Sequence, residues 1–235
     1  VAEADALTPN FSWTEFFRAQ GIEQPKLFSV AIPGYFKEVD AMLVDVPVEQ
    51  WKSYLRFHLV DDASPYLSDA FARQHYEFHD KTLSGQKEMK PRWKRVLDTI
   101  NDQVDEAMGQ MYVDVAFPAE SKAKMEALVG NLGEALKARI QNLEWMSDET
   151  KAKALEKQAA FTTKIGYPDK WRDWTGLSTS RDSYLDNVLA AREFNYKWQI
   201  GKIGKPVDKT EWAVPPQMVN AYYNPLQNEI VFPAA

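Results

Sequence analysis

The sequence contains no cysteine and only three histidines among its 235 residues. Without cysteine there can be no disulfide, no thiolate ligand for zinc and no cysteine nucleophile. No apolar run approaches the ~20 residues that a membrane-spanning helix needs, and the first residues show neither the charged nor the apolar segment of a signal peptide. The net charge of −6 argues against nucleic acid as a partner, because phosphate binding needs a basic patch.

The composition is nevertheless that of a folded protein with a substantial core. Hydrophobic residues make up 45% of the chain, and there are 8 Trp, 10 Tyr and 12 Phe. This content excludes a disordered chain, which would be poor in aromatic and apolar residues. The length is sufficient for one large domain or two small ones.

Most of the chain has the hydrophobic spacing of helices. Within residues 121–144, apolar side chains recur at every third or fourth position with Lys, Glu and Arg between them, which is the pattern of an amphipathic helix. Ser147 is expected to start the next helix, because a serine hydroxyl can accept a hydrogen bond from a free N–H of the first turn. Other helices are predicted at 11–20, 34–44, 48–60, 64–82, 91–115 and 181–199, and a short strand is predicted at Leu27 to Ile32.

The pattern changes near Gly166, where Gly and Pro interrupt the helical spacing. We therefore predict a domain boundary there, which divides the chain into residues 1–165 and 166–235. At the C-terminus, two β-prone runs flank the turn-rich stretch Asn224 to Asn228, and this predicts a hairpin with a loop of about five residues. The expected fold is mainly α, with a multi-helix domain followed by a region that ends in a β-hairpin.

The histidines of the run His75-Tyr76-Glu77-Phe78-His79 are the first candidates for a metal site. Two histidines four residues apart on a helix can ligate one zinc ion. On an α-helix, however, Glu77 would point roughly 160–200° away from both histidines, so it could not act as their general base. The sequence suggests no third ligand nearby. We expect a helix flank with two partly exposed histidines, and a metal-binding protein is the weakest of the alternatives.

The C-terminal run from Val219 to Ala235 resembles the substrate-binding strand of the neprilysin family of zinc metallopeptidases. The similar features are the Asn-Ala-Tyr triplet at 220–222 and the run Asn-Glu-Ile-Val-Phe-Pro-Ala at 228–234. The resemblance extends over nearly the whole chain. Its other family-like segments, in order, are 78–85, where His79 and Asp80 replace a usual Tyr-Gly pair, then 91–95, 143–151, 164–168 and 205–212.

This resemblance implies that Asn220 and Ala221 hold the backbone of a bound peptide, and that Tyr222 lies at a position occupied by Tyr or Phe. It also implies that residues 1–165 belong to the family's helical domain, which caps the catalytic domain and excludes folded proteins. Residues 166–235 would then be the start of a thermolysin-like α+β catalytic domain. The parent protein would be a zinc endopeptidase that cleaves oligopeptides, with zinc polarising the carbonyl and a glutamate activating the water.

The family's zinc ligands, two histidines of a His-Glu-x-x-His motif and a later glutamate, have no counterpart in this sequence. The chain is therefore expected to contain no catalytic residue, to bind no zinc and to hydrolyse no peptide alone. A C-terminal portion of the same protein would complete the site. Because animal members are rich in disulfides, the lack of cysteine suggests a bacterial member, and a periplasmic or secreted location is favoured. The alternative, a non-enzymatic helical interaction module, rests only on the helical periodicity and the acidic charge.

Overall fold

A computed structural model describes residues 1–235, and it is mainly α-helical, as the sequence predicts. None of its helices combines the length and the apolar character that a membrane span needs. A 3-10 turn at Ser64–Tyr66 and a π-helix at Tyr76–Leu83 accompany the α-helices and strands. The α-helices are α1 Ala2–Leu7, α2 Trp13–Ala19, α3 Pro33–Asp45, α4 Val48–Ala63, α5 Asp69–His75, α6 Arg92–Gln103, α7 Asp105–Ala116, α8 Ala119–Gln141, α9 Asp148–Ala159 and α10 Tyr184–Ile200; the strands are β1 Thr162–Gly166, β2 Tyr222–Asn224 and β3 Glu229–Pro233.

Local sequence signals explain where most helices begin. Ser12, Ser147 and Ser183 each accept a hydrogen bond from a backbone N–H in the first turn of α2, α9 and α10. Proline is the first residue of α3 and directly precedes α4, α6 and α8, where its missing N–H costs nothing. The predicted start of α9 at Ser147 is thus confirmed.

Two predicted helices are each divided in the structure. The segment predicted at 64–82 consists of the 3-10 turn, α5 and the π-helix. Pro65 has no N–H with which to continue the bonding of α4, and Leu67 and Ser68 are extended before α5 begins. The segment predicted at 91–115 consists of α6 and α7, which are separated at Val104. There the carboxylate of Asp105 accepts a hydrogen bond from the N–H of Glu106 at 2.8 Å, and such local side-chain bonds compete with a continuous helix.

The strand predicted at Leu27 to Ile32 is wrong, because this segment has no strand beside it with which to pair. Phe28 and Val30 of this segment instead pack against a small aromatic core, whereas Leu27 and Ile32 are exposed. The ring of Phe28 lies 5.0 Å from that of Trp13, and the ring of Phe36 lies 5.4 Å from it. The indole N–H of Trp13 donates to the hydroxyl of the buried Thr8 at 2.8 Å.

The chain forms two compact units. The first contains residues 1–90 and 178–204, and the second contains residues 91–177 and 205–235. The boundary predicted near Gly166 stays a prediction. Gly166 is the last residue of β1, and β1 pairs with β3 within the second unit.

The sheet of the second unit has the strand order β1-β3-β2. β3 lies in the centre, parallel to β1 and antiparallel to β2. Glu229, Val231 and Pro233 of β3 are buried, whereas the residues between them are half-buried. α8 contacts both α9 and β1. The predicted C-terminal hairpin is present as β2 and β3, with a loop of four residues at 225–228.

Candidate peptide-binding edge

β2 is an edge strand, with β3 on one side and no further strand on the other. Its register in the hairpin is fixed by the pairs Tyr222–Val231, Tyr223–Ile230 and Asn224–Glu229. An edge strand presents unpaired N–H and C=O groups, to which an extended peptide can add as a further strand. β1 is the opposite edge of the same sheet, but only β2 adjoins the Asn-Ala-Tyr triplet. The edge of β2 is therefore the candidate for peptide binding.

Asn220 and Ala221 lie directly before β2 rather than within it, and both are exposed. The Oδ1 atom of Asn220 accepts a hydrogen bond from the N–H of Ala221 at 2.8 Å, and its Nδ2 lies 3.9 Å from the Sδ of Met218. These contacts use one acceptor lone pair and one donor hydrogen of the side-chain amide. The amide carries two of each, so it keeps one acceptor and one donor with which to pair with a peptide unit.

Tyr222 is held by contacts within its own unit. Its ring is half-buried, and its hydroxyl accepts a hydrogen bond from the N–H of Ala213 at 3.3 Å. Burial raises the pKa of the Tyr222 hydroxyl above its usual value; the bond from Ala213 opposes this rise and the nearby Glu229 carboxylate adds to it. The hydroxyl is thus engaged inside the chain.

Tyr223 attaches the hairpin to α9. Its ring lies 6.0 Å from that of Phe161, and the ammonium of Lys157 lies 5.5 Å from its centroid. Its hydroxyl donates to Oδ1 of Asn228 at 3.0 Å, and Asn228 Nδ2 donates to the backbone carbonyl of Lys157 at 3.0 Å. Asn228 has a φ of 52°, a conformation that asparagine tolerates better than most residues. These contacts fix the turn and therefore the position of β2.

A buried ion pair supports the central strand, and sequence reasoning missed it. Lys164 Nζ of β1 lies 2.6 Å from Glu229 Oε2 of β3, with 6% and 3% of the two side chains exposed. Lys164 also donates to the backbone carbonyl of Glu211 at 2.6 Å. The only signal in the sequence is Glu229 directly before the apolar residues 230–232, because Lys164 follows two threonines in β1. Since β3 pairs with β2, this ion pair helps to hold the edge in place.

The residues around the edge do not fit a zinc centre. The chain has histidines only at positions 58, 75 and 79, all in the first unit. The run from His75 to His79 does not reproduce the catalytic arrangement of a zinc peptidase either. Glu77 Oε2 lies 2.7 Å from the ammonium of Lys81, and its hydrogen bond and charge raise the pKa of Lys81.

The expectation that His75 and His79 lack a third possible ligand nearby is wrong. A carboxylate oxygen of Asp61 and one ring nitrogen of each histidine all lie within 4.8 Å of one another. Sequence spacing could not reveal this group, because Asp61 belongs to α4 and is brought to α5 by the turn at Ser64–Tyr66. All three residues are half-buried.

Comparisons with known proteins agree with the resemblance seen in the sequence. Residues 1–168 match Peptidase family M13. Neprilysin-3 of Drosophila melanogaster is 31% identical over 251 residues, which cover 100% of this chain and 32% of that protein. Among solved structures, the Mycobacterium tuberculosis zinc metalloprotease ZMP1 in its open state aligns with a TM-score of 0.89 at 37% identity, covering 99% of this chain and 36% of that one.

A second solved structure, PepO of Lactobacillus rhamnosis, aligns with a TM-score of 0.80 at 28% identity, over 98% of this chain and 39% of that chain. The chain thus spans about a third of the length of the relatives that it matches. The order of the family-like segments, the exposed strand edge beside the Asn-Ala-Tyr triplet and the match over residues 1–168 lead to the same assignment. The chain belongs to Peptidase family M13.

Proposed function

We propose that this chain supplies the substrate-binding edge and a helical cap to a zinc-dependent endopeptidase that hydrolyses oligopeptides. The observation that carries the proposal is the exposed edge of β2, with Asn220 and Ala221 directly before it. A peptide lying along this edge would gain main-chain hydrogen bonds, while pockets beside it would select among its side chains. The family assignment favours this function over a non-enzymatic helical interaction module.

Asn220 is proposed to hold one peptide unit of the substrate with its side-chain amide. Its remaining donor and acceptor can pair with the C=O and N–H of the same unit. Ala221 would contribute its backbone, and its small side chain leaves the substrate free to approach. Tyr222 would contribute its position in the strand rather than its hydroxyl, which already accepts the N–H of Ala213.

The catalytic zinc is proposed to be held by residues outside these 235. The relatives include a protein described as a zinc metalloprotease, but no His-Glu-x-x-His motif occurs in this sequence. We therefore expect the 235-residue chain alone to hydrolyse no peptide. The proposed partners are an oligopeptide substrate and the remaining catalytic part of the same protein.

Residues 1–165 are proposed to act as a cap that admits short peptides, and residues 166–235 as the start of the catalytic domain. The helical character of the first segment supports this role. The complete enzyme should then cleave an unstructured peptide but leave the same sequence intact inside a folded protein. Equal cleavage of both substrates would contradict the cap.

The substitution Asn220→Ala in the complete enzyme tests the role of the edge. Loss of hydrogen bonds to the substrate backbone should cost about 1–3 kcal/mol, which is a decrease of roughly 5- to 150-fold in kcat/KM. The zinc content should not change, because Asn220 holds substrate rather than metal. The matched control is Leu226→Ala at the hairpin tip, where the side chain is 95% exposed; its kcat/KM should stay near the wild-type value. A folded Asn220→Ala enzyme with unchanged kcat/KM would contradict the proposal.

A further inference from the structure

We propose that Asp61, His75 and His79 form a binding site for one divalent transition-metal ion such as zinc. None of the three belongs to the proposed peptide-binding edge. The donor set is two imidazole nitrogens and one carboxylate oxygen, which suits zinc, cobalt, nickel or copper. Magnesium and calcium prefer a shell made only of oxygen atoms, so they are not the ions expected here.

The distances among the three side chains are close to those of a metal site. Nε2 of His79 lies 3.0 Å and 3.1 Å from the two carboxylate oxygens of Asp61. Two ligand atoms about 2.1 Å from one metal ion, at angles between octahedral and tetrahedral, are separated by roughly 3.0–3.4 Å. The ion would therefore replace the hydrogen bond between Asp61 and His79 without separating the two side chains.

His75 lies beside this pair. Its ring is stacked on that of His79, with the centroids 4.4 Å apart and the planes inclined by 30°. The three ligand atoms lie within 4.8 Å of one another. Closing the remaining gap needs a shift of roughly 1.5 Å to reach metal-ligand spacing, and histidine can supply it by rotating about χ2, for which the energy wells are broad.

Ser64 prepares His75 to act as a ligand. The Ser64 hydroxyl donates its hydrogen to the backbone carbonyl of Asp61 at 2.6 Å, so it can only accept from Nδ1 of His75, which lies 3.1 Å away. A neutral imidazole that donates from Nδ1 has its lone pair on Nε2. Histidine ligands in metal sites commonly donate their second ring nitrogen in this way, which fixes the tautomer. Ser64 is only 5% exposed, so water does not compete for this bond.

The backbone at this place is also unusual. His75 ends α5 and the π-helix Tyr76–Leu83 follows, with His79 inside it. The hydroxyl of Ser84 donates to the carbonyl of His79 at 2.9 Å, five residues earlier. π-helical segments are rare and are frequent at functional sites. This segment brings the two histidine rings together on one side of the helix.

A cavity beside the cluster gives room for the rest of a coordination shell. It has a volume of about 340 Å³ and is lined in part by Asp61, Ser64 and His75, with the rings of Phe57 and Phe78 among its walls. Three protein ligands leave at least one position for water or another small ligand. Glu77 is paired with Lys81, so it does not provide a general base. The site is therefore proposed to bind a metal ion and not to carry out hydrolysis.

The test is titration of the metal-free 235-residue chain with Zn²⁺ alone at neutral pH, followed by calorimetry and by elemental analysis after dialysis. We expect one zinc ion per chain. The variants His75→Gln, His79→Gln and Asp61→Asn should each lower the affinity at least about 10-fold, a lower bound taken from the effect of removing groups that only support a ligand. The matched control is His58→Gln. The ring of His58 meets that of Tyr54 edge-on and is not part of the cluster, so the zinc affinity of this variant should equal that of the wild type.

A second measurement keeps the proposal falsifiable if a variant folds poorly. Zinc should raise the melting temperature of the wild type and of His58→Gln, because a ligand that binds only the folded state stabilises it. At the same zinc concentration, the rise should be smaller for His79→Gln, because its zinc affinity is lower. The proposal is overturned if zinc does not bind, if it is lost on dialysis, or if folded cluster variants bind it as tightly as the control.

Discussion

Each unit of the molecule contains a carboxylate that is paired with a side-chain nitrogen, and the two pairs differ in how deeply they are buried. In the second unit, Glu229 lies 2.6 Å from Lys164, and only 3% and 6% of these side chains are exposed. In the first unit, Asp61 lies 3.0 Å from His79, and 32% of each side chain is exposed. The first pair lies within the sheet, whereas the second lines a cavity. The buried pair is therefore expected to stabilise the fold, whereas the more exposed Asp61 and His79 can each bind a different ligand.

The physical reason is the cost of desolvation. A buried ion pair repays that cost only while both charges are present, so the removal of one leaves an uncompensated charge in the interior. A half-exposed pair keeps much of its hydration and gains little from its geometry. Lys164 and Glu229 should therefore be essential to the sheet. Asp61 and His79 should be dispensable for folding and free to bind a ligand.

The largest effect is expected for Glu229→Gln. The carboxamide has nearly the same shape, but it leaves the charge of Lys164 buried without its partner. The variant should lose about 3–5 kcal/mol of unfolding free energy, measured by urea denaturation with circular dichroism. The control is the double variant Lys164→Met/Glu229→Met, which removes both charges and should recover most of the loss. If Glu229→Gln is as stable as the wild type, this ion pair does not hold the sheet.

Gly166→Ala should have the next largest effect, because Gly166 ends the strand that carries Lys164. Its φ is +75°, and an added Cβ would lie 2.6 Å from Cε1 of Phe117. The left-handed backbone costs an alanine about 1–2 kcal/mol and overpacking adds about 1–3 kcal/mol, so we expect a loss of about 2–5 kcal/mol of unfolding free energy.

Gly176→Ala is the matched control for that substitution. Gly176 also has a positive φ, +96°, but a Cβ there would meet no atom within 4 Å. It should lose only the backbone cost of about 1–2 kcal/mol. Equal losses for the two variants would mean that the end of β1 is not closely packed against Phe117.

Local signals predicted the elements that depend on neighbouring residues. The periodic apolar positions of α8 and the cap at Ser147 were sufficient for two helices, and the turn residues from Asn224 to Asn228 were sufficient for the hairpin. β1 was missed because Thr162 to Gly166 directly follow a helix and become a strand only by pairing with β3, far along the chain. No local pattern contains that information.

The two candidate sites also differ in whether their residues are close together in the sequence. Asn220, Ala221 and Tyr222 were predicted from a family resemblance in one continuous segment, and the structure shows the contacts of Asn220 and Tyr222. Asp61 could not be assigned to the histidines from sequence, because the turn after α4 and the π-helix determine that meeting. The prediction of one continuous α-helix over 64–82 includes neither the turn at Ser64–Tyr66 nor the π-helix at Tyr76–Leu83.

The smallest effect on stability is expected for Asp61→Asn, which makes the same chemical change as Glu229→Gln in the exposed setting. The side-chain carbonyl can still accept a hydrogen bond from His79, and a half-exposed pair of this kind is worth only about 0–1 kcal/mol. We therefore expect a loss of at most ~1 kcal/mol in the same urea experiment, with an unchanged circular dichroism spectrum. Zinc affinity, in contrast, should fall at least about 10-fold, because a neutral amide is a poor replacement for a carboxylate ligand. A loss in stability as large as that of Glu229→Gln would show that Asp61 also supports the fold, and the contrast between the two pairs would no longer hold.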